Sequence, residues 1–182
     1  MVFLVELDVD EFGSLDGPVE LFPVPATDHE WAGVPYPVVS QHVPFTWEPG
    51  DAGVAPDAFW YPQLFAWVCS KRLYDLLLDI AAADIHLIAE GDLDDEPLFV
   101  AQVLSVLDVV DRENSIIKKY PTYEKLQFPA FARQDAAMLA SRVFRVPGSL
   151  MTFMGERVKV AVEAAGLRGF TFTEVNWSDR DI

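Results

Sequence analysis

The chain has one cysteine, Cys69. A single thiol excludes an internal disulfide and a cysteine-built zinc site, and nothing here calls for an oxidising compartment. The three histidines, His29, His42 and His86, stand far apart, outside any HExxH pattern and beside no nucleophile. There is no GxSxG elbow, no phosphate-cradling P-loop and no GxGxxG turn. The residues therefore offer no catalytic signature. No uncharged apolar run reaches the ~20 residues that span a bilayer. The opening MVFLVELDVD lacks the basic segment and long apolar core of a signal peptide. The expectation is a soluble, cytoplasmic protein with no membrane partner.

Basic residues are the second scarcity. Residues 1–70 hold eleven acids and no Lys or Arg, and ten more acids lie between Arg72 and Arg112, again with no Lys or Arg. The net charge is −16, while the last third is nearly balanced. Such a field repels nucleic-acid phosphates and anionic lipid, and it speeds encounter with a basic partner. Acidity often serves solubility alone, a reading that this asymmetry along the chain weakens somewhat.

Apolar residues, by contrast, are plentiful at 51%, which excludes global disorder. The 182 residues suit a single domain, which at this size hides about 70% of its unfolded surface. The chain is organised around Leu98 to Ser115, LFVAQVLSVLDVVDRENS, apolar almost without break to Val109. Exposed, this run would aggregate. Its valines at 100, 103, 106, 109 and 110 favour a pleated surface. Phe99, Val103, Val106 and Val110 also fall at helical spacing, so periodicity alone leaves both open. It reads as a central buried strand.

Before it, Val2 to Val9 reads as an opening strand, and Asp16-Gly17-Pro18 as a turn. Nine prolines between Pro18 and Pro62 forbid a long helix there. The many interspersed aromatics, Trp31, Trp47 and Trp60 among them, argue for extended segments packed on the main body, with a short strand over Tyr36 to His42. Ser70 caps a helix whose Leu73, Leu76, Leu77 and Ile80 form one stripe. A short strand follows within Asp84 to Ala89, ended by Gly91. An acidic turn, Gly91 to Pro97, comes next.

After the central run, Ile116 to Lys119 is expected as its hairpin partner and Tyr120 to Pro129 as a loop. Arg133 to Ala140 favours a short helix. Arg142 to Val146 alternates as a strand, and Leu150 to Phe153 suggests another. Gly155 to Ala165 forms the second main helix, with Val158, Val162 and Ala165 inward and Gly166 closing it in the left-handed conformation. Phe170 to Val175 is the closing strand. Two helices among irregularly spaced strands indicate α+β, with a mixed or antiparallel sheet.

The C-terminal elements carry a resemblance. It runs through Val68 to Leu73, then Leu107-Asp108-Val109-Val110-Asp111-Arg112-Glu113-Asn114-Ser115, then Val143 to Val146, then the helix, glycine and strand from Val160 to Phe172. In order and spacing, residues from about 65 to 177 resemble bacterial immunity protein family eleven. The resemblance implies a protein that binds and neutralises a cognate toxin of a polymorphic system, not an enzyme, and without a cofactor. Residues 66–177 would be the family core, and residues 1–65 a proline-rich acidic segment packed on it. Charge adds that the toxin is basic. Oligomeric state is left open.

Candidate site residues follow. Asp108 and Asp111 could bind a metal or act as acid and base, as in a metal-dependent hydrolase. With no further ligand at suitable spacing, they and Ser115 read instead as a structural turn. Asp92, Asp94, Asp95 and Glu96 lack the spacing of a calcium loop; they are a solvated turn or a partner-facing patch. Trp31, Trp47 and Trp60 are core or, as Trp often is, interface anchors. Cys69, beside a helix start, is expected to be buried and inert, and His86 to be structural. An acidic nucleic-acid mimic is the third function class.

Overall fold

A computed structural model describes residues 1–22, 33–61, 64, 66–122 and 124–178 of the 182. It is mixed α and β, mostly strands, with four helices among the described residues, two of them long. The larger sheet has five strands: β3 (Val43–Pro44), β5 (Ala58–Tyr61), β6 (Ala66–Ser70), β7 (Ile85–Leu93) and β8 (Glu96–Val103). Their order is β3-β7-β8-β6-β5, antiparallel except for the parallel β3–β7 pair. A second sheet joins β1 (Val2–Leu7), β12 (Val143–Arg145), β13 (Thr152–Gly155) and β14 (Phe170–Glu174) in the antiparallel order β12-β13-β1-β14.

The long helices α2 (Lys71–Ala81) and α4 (Glu156–Ala164) share a core with both sheets. Leu73 and Leu77 of α2 and Val158 and Val162 of α4 pack with Trp67, Cys69, Ala101 and Val103 of the larger sheet. Val5, Val143 and Met154 of the smaller sheet complete that core. Ser70 Oγ accepts the Leu73 N–H at 3.3 Å, an N-cap at the start of α2. Gly166 takes φ +63° after α4, as its position after the helix demands. Ala165, expected inward, is exposed, because α4 has ended at Ala164.

β8 lies in the middle of the larger sheet, and both its faces are covered. Ala101 and Val103 meet the helices, while Leu98 and Val100 meet a second cluster with Leu15, Phe22, Tyr36, Val43 and Phe45. These described residues of the proline-rich segment thus form a lid over the far face. Gln102, 2% exposed, fastens it: its Oε1 accepts the Tyr36 N–H at 2.8 Å and its Nε2 donates to the Val34 carbonyl at 3.0 Å. Burial on both faces explains an apolar run without clean alternation.

Several expectations need correction. The central strand ends at Val103 rather than Val109. Beyond it the chain leaves the larger sheet: a single bridge joins Val106 to Arg145 of the smaller sheet, and another joins Val110 to Phe131, which lies outside both sheets. Ile116–Lys119 (β9) pairs not with β8 but with Glu124–Phe128 (β10), where the sequence suggests a loop. No strand forms over Tyr36 to His42. Pro35 and Pro37 lack donors, and Val39 N–H gives a single bond to Ile88 O at 2.7 Å before β3 begins at Val43. Gly91 does not end β7, which continues to Leu93. A Cβ at Gly91 would lie 2.1 Å from the Val43 carbonyl, so the missing side chain admits β3 instead.

The remaining elements are smaller. β11 (Ala130–Ala132) and β15 (Asn176–Ser178) pair in parallel, and α3 (Ala136–Leu139) lies close by. With the other face of the smaller sheet they enclose a third cluster around Phe131, Leu139, Phe144 and Phe153. β2 (Ser14–Asp16) and β4 (Thr46–Glu48) pair near the N-terminal turn α1 (Val9–Phe12).

One buried ion pair joins the two sheets. Asp84, 1% exposed at the head of β7, accepts from Arg142 Nε at 2.9 Å and Nη2 at 2.6 Å, from Ser105 Oγ, and from the Val143 N–H at 2.9 Å. Arg142 immediately precedes β12, so the carboxylate ties the larger sheet to the edge of the smaller one.

Candidate partner-binding surface

The acidic turn is a two-residue hairpin between β7 and β8. Asp94 and Asp95 have φ +51° and +68°, the left-handed pair that a tight hairpin of this length requires. Asp and Asn tolerate that conformation better than most residues. Asp94, Asp95 and Glu96 are exposed. Asp92 differs from them: it is half-buried on β7, and its Oδ1 pairs with His42 Nε2. The turn therefore offers three outward carboxylates, and a fourth already engaged.

Trp47 and Trp60 lie against different core clusters. Trp47 packs on the cluster under the proline-rich segment, and its Nε1 donates to the Phe12 carbonyl at 2.8 Å. Trp60 packs on the opposite side of the larger sheet, against the helix-containing core. There it borders an open cleft of about 570 Å³ between β1, β10 and the chain from Gly148 to Thr152. Trp31 and His29 lie outside the described residues.

Asp111 and Ser115 hold a turn. Asp111 is 9% exposed, and its Oδ1 accepts the N–H groups of Glu113 at 3.1 Å and Asn114 at 3.3 Å. Its Oδ2 accepts from Asn114 Nδ2 at 2.7 Å. Ser115 Oγ donates to the Asp111 carbonyl at 2.6 Å and accepts the Ala130 N–H at 2.8 Å. Asp108 is exposed at the rim of the same depression. No three His, Cys, Asp or Glu residues among those described converge to hold a metal ion.

Cys69 is fully buried in β6, and burial pushes its thiol far above the ordinary range, helped by the charge of Asp57. A thiol so held is not a nucleophile at neutral pH. His86 is half-buried, with Nε2 2.8 Å from the Tyr36 carbonyl, a structural bond to the lid.

Three features were not anticipated from sequence: the Asp84–Arg142 pair, the cleft beside Trp60, and a second carboxylate junction at Asp57. Asp57, 5% exposed, accepts from Ser70 Oγ at 2.7 Å and from the Arg168 N–H at 2.9 Å. An isolated aspartate beside apolar residues is the only trace such a junction leaves in a sequence, and many exposed aspartates look the same.

Exposed carboxylates on a firm hairpin and an open apolar cleft are means of binding another molecule. The model of the immunity protein family Imm11 matches residues 16–176, most of the chain, and the protein belongs to that family. The match begins well before residue 65, where the resemblance read from sequence began, and so takes in most of the proline-rich segment. Comparison with curated proteins gives no match. Among the described residues no helix is long and apolar enough to cross a membrane.

Proposed function

We propose that this protein neutralises a cognate bacterial toxin by binding it stoichiometrically, in the cytoplasm and without chemistry of its own. Family membership supports a toxin-immunity role. The observation that carries the binding mode is the hairpin tip: Asp94, Asp95 and Glu96 are exposed on a two-residue turn, within a stretch from Arg72 to Arg112 that has no Lys or Arg. That stretch supplies no cation of its own, so the tip steers a basic toxin surface toward the complex.

Binding kinetics against the toxin encoded by the neighbouring reading frame test this. Association is expected to slow as salt rises, since screening shortens the field to about 8 Å at physiological ionic strength. Dissociation responds less, because it reports desolvated contacts. Combined Asp92→Asn, Asp94→Asn, Asp95→Asn and Glu96→Gln substitution should lower the association rate. Asn tolerates the left-handed turn, so the fold is retained. An association rate indifferent to both salt and substitution removes the tip from the mechanism. Displacement of the toxin by DNA at the same surface would instead favour a nucleic-acid mimic.

A further inference from the structure

We infer that the cleft beside Trp60 is the seat for an extended, basic and apolar segment of the toxin, which docks alongside β1. This rests on the toxin-binding reading above and deepens it.

The first observation is an open strand position. In an antiparallel sheet each residue turns its N–H and C=O to one side, and successive residues alternate. The Val2 carbonyl accepts from Val175 N–H and the Asp8 N–H donates to Gly169, so even-numbered residues of β1 face β14. The Met1 carbonyl accepts from Glu156 N–H, so odd-numbered residues face β13. The last β13 partner is Thr152, opposite Val5. Leu7 is the next odd position, and its N–H and C=O meet no partner among the described residues. They open toward the cleft. A free donor and acceptor pair at the end of a strand is what an added strand uses.

The second observation is the lining. Leu4, Leu7, Trp60 and Leu126 are half-buried at the cleft, and Val9 and Leu150 are 51% and 44% exposed there. Alternate side chains of an extended segment would cover this surface. The third is charge. Glu6 lines the cleft and is exposed, with Asp8 and Asp10 on the adjoining chain. Lys125, on the opposite wall, is the one basic residue among the described residues lining it. The β1 side therefore selects a segment carrying Lys or Arg.

The test uses the full chain and the catalytically disabled toxin from the neighbouring reading frame. Val9→Arg and Leu150→Arg alter exposed positions, so the thermal midpoint should hold, while affinity should fall at least tenfold. Leu78→Arg, on the exposed side of α2, serves as the equally charged control and should bind as the parent does. Hydrogen exchange supplies a readout that involves no substitution: the Leu7 amide should exchange freely in the free protein and slow at least tenfold in the complex. A complex that forms with unchanged Leu7 exchange, or that tolerates both cleft substitutions, overturns the cleft assignment and leaves toxin binding intact. Failure of the parent chain to bind the toxin overturns the toxin-binding reading, and this assignment with it.

Discussion

Arg142→Met should be among the most damaging single changes in the chain, and a second change should partly repair it. In the parent, the Asp84 carboxylate is 1% exposed and the Arg142 side chain 30% exposed. Hydrogen bonding to Asp84 is the main reason the guanidinium holds its proton more firmly than usual, against some loss from burial. Arg142→Met removes the Nε and Nη2 donors and leaves the carboxylate with Ser105 Oγ and the Val143 N–H. Breaking a buried pair by removing one partner costs about 3–5 kcal/mol, because an uncompensated charge stays inside. The value here should lie in that range, since the Asp84 carboxylate is buried. Adding Asp84→Asn removes the stranded charge while keeping an acceptor for Val143. The double variant should therefore be more stable than Arg142→Met alone, by about 1–3 kcal/mol. Urea unfolding of the parent, both single variants and the double variant closes the cycle. Additive losses, with the double variant least stable, would refute the claim that the damage comes from an isolated buried charge.

Asp111→Ala should lower stability by about 1–3 kcal/mol, because it strips acceptors from the Glu113 and Asn114 amides; thermal unfolding with and without divalent metal checks this, and a metal-dependent rise in the parent midpoint that vanishes in the variant would point to a metal site instead. Cys69 should resist thiol reagents in the folded protein and react only on unfolding. Its raised thiol value also sets a sign: the unfolded chain loses that proton first as pH climbs past the ordinary thiol range, so stability falls with rising alkaline pH, and Cys69→Ala should flatten that fall in urea titrations.

The parts of the fold that could be read from the sequence are those set by neighbours in the chain. The α2 helix, its Ser70 cap and its Leu73–Leu77 stripe follow from spacing within a dozen residues. So do α4 with Gly166, and the alternating β14. Partner choice was not legible. Nothing in Ile116–Lys119 says that it pairs with Glu124–Phe128 rather than with the apolar strand before it. The apolar run also concealed its own end, because Val106 and Val110 stay apolar after the chain has left the larger sheet. At the candidate surface, the hairpin tip was visible as a cluster of acids. The cleft was not, since Leu4, Trp60, Leu126 and Leu150 come from four distant parts of the chain. The engagement of Asp92 by His42, fifty residues earlier, was hidden for the same reason.

The most direct test of toxin neutralisation by binding is a titration of toxin activity against this protein at toxin concentrations well above the dissociation constant. Inhibition should rise linearly and reach completion at one chain per toxin, with a complex of the same ratio isolated by size-exclusion chromatography. Full protection at a small fraction of that ratio, with no isolable complex, would mean that each chain inactivates many toxin molecules, and would contradict the account in favour of an enzyme.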